Sequence, residues 1–500
     1  MLKKNTDSPN DIPIREVRLE SEVQKSVEQD AQKSNTELVI ITYIFAAMFF
    51  ALIGYLSWFM IAKRTEINAN VYNSKQESAS DRIIRGPIVS EDGTSLAYTT
   101  VDYTGNETRV YPYYNIFAHV IGYADNGRGG LEATASADLM NCHSSLVEQL
   151  RSTGSNEKLQ GDSVVVTLRP SLQEACWYAL GSYKGAIVVM EPDSGKILAM
   201  VSKPDFDPNV IAETWDSMVS DPSNSSLLNR ATQGLYPPGS TFKILTTLAY
   251  LRQFPGGYTN FSYDCTGTLS QEDMTITCYN NTVHGTENLR SAFSHSCNTA
   301  FANIGLSLDN AQFRKLAEQF LFNSQLPSPL QCSQSVFALK KGSSYGEQMT
   351  TAIGQGDTLV TPLHMALITA TVANGGIMMK PYIVSRVESS DGNVVKETRP
   401  EIYDELMTLE EAEILTGYMH ETVLSGTGSA LSWNSYSVAG KTGSAEYETG
   451  GATGTHSWFV GFSNVDDPDI VVAIIAEDGG TGSSTAVPIA QSVFDAYYYG

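Results

Sequence analysis

Two side chains with complementary chemistry stand three residues apart near the middle of the chain, Ser240 and Lys243. They lie in residues 236–243, which read YPPGSTFK. Pro237 and Pro238 are tolerated at or before the first turn of a helix but not inside one, so a helix is predicted to begin near Ser240. Residues at i and i+3 share one helix face, and a neutral amine can take the proton of a neighbouring hydroxyl. The pair therefore predicts a serine nucleophile with a lysine base.

Ser-x-x-Lys alone is a weak signal, because about one or two such pairs are expected by chance in a chain of this length. Ser155 and Lys158 form such a pair in a polar stretch without a helix start. Two further polar motifs follow the first, Ser-Cys-Asn at 296–298 and Lys-Thr-Gly at 441–443. The order and wide spacing of the three motifs carry the specificity that each motif lacks by itself.

In this order the motifs resemble those of penicillin-binding proteins and class A β-lactamases. Residues 229–243 (NRATQGLYPPGSTFK) and 439–446 (AGKTGSAE) resemble segments of penicillin-binding proteins, and residues 82–97 resemble the start of the N-terminal module of the class B members. The resemblance extends from about residue 82 to residue 500. It implies a D,D-transpeptidase that cross-links peptidoglycan stem peptides through a serine acyl-enzyme and that is acylated by β-lactams.

The resemblance also implies roles for individual residues. Ser240 is expected to be the nucleophile, Lys243 the base for acylation, and Ser296 a relay for the proton that the leaving amine needs. Lys441, if close, would lower the pKa of Lys243 by like-charge repulsion. The residues expected to bind substrate follow the second and third motifs: Asn298, Lys441, Thr442, Gly443 and Ser444.

The backbone N–H groups of Ser240 and Ser444 are expected to form the oxyanion hole. Ser444 departs from the family, which usually has threonine there, so a side-chain contact to substrate would lose a methyl group. Cys297, inside the second motif, is expected to be a small buried apolar side chain.

Composition limits the classes of partner. The formal net charge of −23, without a compensating run of lysine or arginine, argues against a nucleic-acid ligand. The six cysteines are too few for a disulfide scaffold and form no Cys-x-x-Cys, and none of the seven histidines has metal-ligand spacing. Neither a metal nor a cofactor is expected. One disulfide is a hypothesis: Cys265 and Cys278 flank a predicted loose hairpin.

The stretch from Leu38 to Ala62 contains no charged residue, and its 25 residues can span the ~30 Å hydrocarbon core of a bilayer. The 37 mixed-charge residues before it and Lys63-Arg64 after it argue against a cleaved signal peptide. A single uncleaved membrane span is predicted. The positive charges on its two sides are nearly balanced, so the cytoplasmic placement of the N-terminus is expected only because a cell-wall enzyme must act outside.

The predicted architecture is a membrane-anchored α+β protein. It consists of a cytoplasmic tail (1–37), a transmembrane helix (38–62), a small extracytoplasmic mixed α/β module with its linker (63–160), and a transpeptidase domain (161–500). Strands are predicted at both ends of the last domain, which implies an antiparallel sheet built from distant segments and flanked by helices. Residues 109–123 are predicted to form short strands and loops.

Three functional interpretations remain. A monofunctional class B transpeptidase is favoured, because about a hundred residues between span and domain are too few for a glycosyltransferase. A β-lactamase-type hydrolase would need a second base, and Glu287 precedes the second motif, whereas the corresponding class A element follows it. The third is a non-catalytic penicillin-binding receptor or scaffold.

Expected partners are stem peptides ending in D-Ala-D-Ala, β-lactams, the cytoplasmic membrane, and a glycosyltransferase with division or elongation proteins. Septal, elongation and sporulation roles are all compatible with the sequence.

Overall fold

The computed structural model of the protein describes residues 14–62, 82–145, 158–449 and 452–500. The chain divides into two units, Met1–Asn68 and Ala69–Gly500. The first 13 residues of the predicted tail, and residues 63–81 and 146–157 of the predicted module and linker, lie outside the described residues.

The first unit contains one helix, Ile14–Ala62. Its segment Leu38–Phe59 has 22 residues with a mean hydropathy of 2.3, and none of them is buried within the protein. At 1.5 Å per residue this segment matches the ~30 Å apolar thickness of a bilayer. It is the one helix of the described residues that is long and apolar enough to cross a membrane. The predicted single-pass anchor therefore has a helix of suitable length and composition.

The second unit is a mixed α/β structure in which more than half of the described α-helical residues lie between residues 241 and 425. Its α-helices are Ala118–Ile121, Gly130–Thr134, Ser136–Leu139, Pro170–Leu180, Ile211–Ser220, Arg230–Gln233, Lys243–Gln253, Leu289–Ser294, Asn298–Ser307, Asn310–Gln319, Tyr345–Ala352, Pro362–Ala373, Leu409–Leu424 and Val487–Tyr499. Its 3₁₀ turns are Tyr114–Phe117, Pro208–Val210, Gly239–Phe242, Tyr258–Asn260, Tyr279–Asn281 and Ser429–Trp433, and a π-type turn spans Gly482–Ala486.

The strands are numbered in chain order. They are β1 (Ile83–Ile84), β2 (Ile88–Ser90), β3 (Ser95–Val101), β4 (Glu107–Val110), β5 (Leu159–Gln160), β6 (Ser163–Val166), β7 (Gly185–Met190), β8 (Ile197–Lys203), β9 (Tyr263–Cys265), β10 (Thr268–Gln271), β11 (Met274–Thr277), β12 (Gly285–Glu287), β13 (Ile377–Met379), β14 (Val384–Glu388), β15 (Val394–Glu397), β16 (Ile402–Glu405), β17 (Val438–Thr449), β18 (Ala452–Ser463) and β19 (Ile470–Ala476).

A five-stranded antiparallel sheet, in the order β17-β18-β19-β7-β8, is the centre of the second unit. It joins a hairpin from residues 185–203 to strands beyond residue 438, which confirms the predicted sheet of distant segments. Its apolar side chains alternate between the two faces. Ile187 and Val189 pack against the Pro170–Leu180 and C-terminal helices, whereas Val188 and Met190 face the larger core. The sheet is therefore buried on both sides, which explains its nearly continuous apolar strands.

A second sheet has the order β15-β14-β6-β2-β3-β4, with β2 parallel to β6 and antiparallel to β3. It combines strands from both sides of residue 160, so the predicted module boundary there stays a prediction. The remaining strands form four two-stranded sheets, β1-β5, β10-β11, β12-β9 and β13-β16.

A buried cluster of one carboxylate and two guanidinium groups connects elements in the N-terminal part of the second unit. The carboxylate of Glu132 has no solvent exposure and accepts from Arg85 Nε at 2.5 Å and from Arg109 Nε at 2.8 Å. Arg109 also donates to the carbonyl of Gly86 at 2.8 Å. Burial raises the pKa of Glu132, but the two guanidinium groups outweigh it and hold the pKa below its ordinary value. Nothing in the sequence pattern pointed to this cluster.

The prediction of strands and loops at 109–123 is wrong for most of that stretch. Only Glu107–Val110 is a strand, and Tyr114–Phe117 and Ala118–Ile121 are helical. Aromatic and β-branched residues favour strands in isolation. Here tertiary packing decides the local structure, because the second helix is buried along its whole length and ends at Gly122, which has a φ of +88°.

Candidate active site

The predicted nucleophile stands at the start of a helix. Residues Gly239–Phe242 form a 3₁₀ turn that leads directly into the helix Lys243–Gln253, so the helix start predicted near Ser240 is confirmed. Gly239 has a φ of +54°, and its N–H donates to the carbonyl of Gly354 at 2.8 Å. A positive φ suits glycine, which explains the residue before the serine. Ser240 itself is half-buried, whereas its neighbours on both sides are buried.

The amine of Lys243 lies inside the protein rather than on its surface. The side chain has no solvent exposure, and Nζ donates to the carbonyl oxygen of Ser296 at 2.8 Å, to Ser296 Oγ at 3.3 Å and to Asn298 Oδ1 at 2.8 Å. Burial lowers the pKa of Lys243 to about 7, although the nearby thiols of Cys297 and Cys278 oppose the shift. At neutral pH a substantial fraction of this amine is therefore neutral and able to accept a proton.

Ser296 links two lysines. Lys441 Nζ donates to Ser296 Oγ at 2.9 Å, and the same oxygen lies 3.3 Å from Lys243 Nζ. Ser296 connects the helices Leu289–Ser294 and Asn298–Ser307 and has a φ of +58°, an unusual value for serine. Such backbone strain persists only where surrounding contacts hold it. The arrangement gives a hydroxyl that contacts two amines and can pass a proton between them.

Lys441 is also completely buried, and its pKa lies well below the ordinary lysine value. Burial is the main cause and repulsion by the charge of Lys243 is the second. Repulsion by Lys441 was predicted to lower the pKa of Lys243, but burial is what lowers it. Since two buried ammonium groups around one hydroxyl repel each other, the site favours states with at most one of them charged.

The third motif lies on β17, an edge strand of the five-stranded sheet. Lys441 pairs with Val460 of β18 and Ser444 pairs with Ser457. The hydroxyl of Thr442 is hydrogen-bonded to that of Thr427, and Ser444 Oγ accepts from the backbone N–H of Gly482 at 3.2 Å.

Gly443 allows β17 to approach the nucleophile turn closely. A Cβ at this position would lie 3.0 Å from Trp458 Cβ and 3.2 Å from the carbonyl oxygen of Pro238. Trp458 Nε1 also donates to the carbonyl of Pro237 at 3.0 Å. The β17–β18 hairpin and the segment before Ser240 therefore form one packed assembly, and a side chain on Gly443 would force them apart.

Asn298 connects the lysine to a neighbouring hairpin. Its Oδ1 accepts from Lys243, and its Nδ2 donates to the carbonyl of Thr277 at the end of β11 at 3.0 Å. Thr277 and Thr427 contact motif residues but carry no motif of their own, and sequence reasoning missed both.

The hypothesis of a Cys265–Cys278 disulfide is wrong for this structure. The predicted hairpin is present as β10 and β11, but both thiols are free and their Sγ atoms lie 3.7 Å apart. Cys297 is completely buried, as expected.

The chain matches two family profiles. Residues 185–495 match the penicillin binding protein transpeptidase domain, and residues 85–164 match the penicillin binding protein A dimerisation domain. A curated relative, the peptidoglycan D,D-transpeptidase PbpA of Mycolicibacterium smegmatis, is 34% identical over 82% of this chain and 88% of its own length. The PbpA of Mycobacterium tuberculosis is 33% identical over 83% of this chain and 89% of its own.

The similar solved structures are also penicillin-binding proteins or D,D-transpeptidase domains. Penicillin-binding protein A from M. tuberculosis, as a ceftriaxone acyl-enzyme complex, superposes with a TM-score of 0.77 at 31% identity, covering 84% of this chain and 99% of that one. A D,D-transpeptidase domain from Eggerthella lenta superposes with a TM-score of 0.74 at 31% identity, covering 83% of this chain and 98% of that one.

Proposed function

The chain belongs to the class B penicillin-binding proteins, and we propose that it is a peptidoglycan D,D-transpeptidase that cross-links stem peptides through a serine acyl-enzyme. The observation that carries this proposal is the buried amine of Lys243, which lies in the first turn after Ser240 and contacts both Ser296 and Asn298. A lysine with a pKa of about 7 can act as a base at neutral pH.

Acylation begins when Lys243 accepts the proton of Ser240. Ser240 Oγ then attacks the carbonyl carbon between the two terminal D-alanines and forms a C–O bond, which gives a tetrahedral intermediate from which the C–N bond breaks. The departing amine needs a proton. Ser296 supplies it and is reprotonated through the amines of Lys243 and Lys441, which both contact its hydroxyl. The residues proposed as catalytic are thus Ser240, Lys243 and Ser296.

The proposed substrate-binding residues surround this centre. Asn298 holds a substrate amide while keeping Lys243 in place. Lys441 and Thr442 receive the terminal carboxylate, for which the hydroxyl of Thr442 exchanges its bond to Thr427 for one to the substrate. Gly443 lets the substrate backbone lie against the edge of β17. The backbone N–H groups of Ser240 and Ser444 stabilise the tetrahedral intermediate as an oxyanion hole.

An amine of a second stem peptide completes the transfer by attacking the acyl-enzyme. A β-lactam reacts with Ser240 in the same way, but the opened ring stays attached. The transpeptidase is favoured over a β-lactamase because hydrolysis would require a second base. The candidate Glu287 is buried, and its carboxylate is hydrogen-bonded to Nδ1 of His295 at 2.8 Å.

The membrane arrangement follows from this function. Residues 38–62 anchor the protein, the tail before them is cytoplasmic, and residues 63–500 lie outside the membrane, where peptidoglycan is assembled. The partners are peptidoglycan strands with D-Ala-D-Ala ends and an enzyme that polymerises the glycan, because this chain joins peptides only.

Intact-mass spectrometry after penicillin treatment tests the proposal. Ser344 is the control, because it stands in a Gly-x-Ser-x-Gly sequence at 342–346. One adduct is expected on the wild-type chain and on Ser344→Ala, and none on Ser240→Ala. An adduct that persists in Ser240→Ala, or one that maps to Ser155 or Ser344, would refute the assignment. Release of D-alanine from a pentapeptide donor, together with a new peptide bond to an added amino acceptor, distinguishes transfer from penicillin binding alone.

A further inference from the structure

Three sulfur atoms and one imidazole nitrogen converge beside the second motif. Cys278 Sγ lies 3.7 Å from both Cys265 Sγ and Cys297 Sγ, and Nδ1 of His284 lies 3.4 Å from Cys265 Sγ. All four atoms lie within 4.8 Å of one another. The three cysteines are buried and the histidine is half-buried. None of these groups has a role in the transpeptidase chemistry described above.

Three of the six separations match those of ligands around one ion, and the other three are at most 4.8 Å. With Zn–S bonds of about 2.3 Å and Zn–N bonds of about 2.0–2.1 Å, a tetrahedron places two sulfurs ~3.8 Å apart and a sulfur and a nitrogen ~3.5 Å apart. The observed values are 3.7 and 3.4 Å. A disulfide would require about 2.05 Å. Cys278 is also equally far from two thiols, so a disulfide with either would leave the third cysteine unpaired.

The four ligands come from four different segments. Cys265 ends β9, Cys278 follows β11, His284 precedes β12, and Cys297 is the N-cap residue of the helix Asn298–Ser307. The β9–β12 and β10–β11 pairs have two strands each, and such ribbons are marginally stable alone. Between residues 266 and 286 only Gly267, Ile276 and Cys278 are buried. A cross-link would add to the few buried contacts that hold this region on the domain.

The chemistry of the donor set selects the ion. Three thiolates and one imidazole form a Cys₃His set, which is typical of closed, structural zinc sites rather than of magnesium or calcium sites. The surroundings also fit. The hydroxyl of Thr299 lies 3.3 to 3.6 Å from all three sulfurs, and the N–H of Ala300 donates to Cys297 Sγ at 3.5 Å. Such outer-shell donors orient thiolate ligands and offset their charge.

We propose that Cys265, Cys278, His284 and Cys297 bind one zinc ion that clamps the two ribbons to the turn carrying Ser296 and Asn298. Cys297 stands between these two residues, so the ion fixes the backbone from which both reach Lys243. Zinc is then structural for the domain and positioning for the reaction, without contact to the substrate. The ligands are positioning residues, and the ion takes no part in acyl transfer.

Metal content tests the site independently of activity. The full chain is purified in detergent with a reductant and without a chelator. We expect about one zinc per chain in the wild type and in Cys332→Ser, which replaces a buried cysteine outside the cluster. At least a tenfold lower content is expected in Cys278→Ser and in His284→Ala. X-ray absorption of the zinc-loaded wild type should show three sulfurs and one nitrogen, a result that does not depend on how the variants fold.

Two outcomes would overturn the site itself. One is wild-type protein that contains less than a tenth of an equivalent of zinc and takes up none when it is added under reducing conditions. The other is peptide mapping of the unreduced protein that finds Cys278 in a disulfide.

The positioning role has its own readout. After zinc is removed by a chelator, the second-order rate of penicillin acylation should fall at least tenfold and recover when zinc is added back. An unchanged rate would refute the positioning role. Because metal content is measured without a substrate, it tests the zinc site independently of the transpeptidase assignment.

Discussion

The rate at which Ser240 is acylated should follow the protonation of Lys243. Burial lowers the pKa of this amine from 10.5 to about 7, so about half of it is neutral at pH 7, compared with roughly one part in 3,000 for an ordinary lysine. Between pH 6 and pH 8 the neutral fraction rises from about 9% to about 91%. The second-order acylation constant should therefore rise about tenfold over this range and level off above it.

The assay is quenched-flow labelling with a fluorescent penicillin, whose carboxylate stays ionised across the range. Lys243→Arg keeps the positive charge but removes the neutral form, so acylation should fall about 10²–10⁴-fold, the usual contribution of a general base. Lys380→Arg is the matched control, because that lysine is exposed and pairs with Glu401. A flat profile from pH 6 to pH 8, or Lys243→Arg within fivefold of the wild type, would refute the reasoning.

Three further predictions concern stability, the turn before the nucleophile, and topology. Glu132→Gln leaves two buried guanidinium groups without their carboxylate partner and should lower the free energy of unfolding in urea by about 3–5 kcal/mol. The control Glu401→Gln should lower it by under about 1 kcal/mol. Because the pKa of Glu132 is lowered in the folded state, the stabilisation by Glu132 is present above its ordinary pKa of 4.5 and is lost as the pH falls through the folded value. Gly354→Ala places a Cβ 2.0 Å from the carbonyl oxygen of Gly239 and should slow acylation strongly. The control Gly392→Ala has a similar positive φ but open space around the new Cβ, so it should not slow acylation. Equal effects of the two variants would show that backbone strain, not the contact with Gly239, matters. In intact cells, residues 1–37 should resist external protease and residues 63–500 should be accessible, and trimming of the N-terminal tail alone would reverse the orientation.

Sequence patterns predicted the parts of this protein whose determinants are local. The strands at both ends of the last domain follow from the sequence pattern, and the helix start near Ser240 follows from two prolines. The three motifs gave the candidate site residues, but not that Lys243 and Lys441 both contact Ser296, since this depends on packing between segments 53 and 145 residues apart.

The residues that sequence reasoning missed share a physical reason. Glu132 and its two arginines lie on separate elements, and no local pattern marks a buried charge. The three cysteines and the histidine of the cluster show no short metal-ligand spacing in the sequence, so no metal was predicted there. They are brought together by two ribbons and a helix N-cap, so only the tertiary structure reveals them.

The strand order of the five-stranded sheet also has a consequence for biosynthesis. β7 and β8 are made early and are completely buried in the finished protein, but β19, the other neighbour of β7, emerges roughly 270 residues later. At a synthesis rate of about 5–20 residues per second, the edge of β7 in this apolar hairpin stays unpaired for about 13–50 s before β19 is made. Unpaired apolar edges invite association with other chains, so we expect nascent chains to depend on a holding chaperone during this interval. Pulse proteolysis of chains stalled before residue 470 should accordingly find residues 185–203 accessible, and protection at that stage would show that another segment covers the edge first.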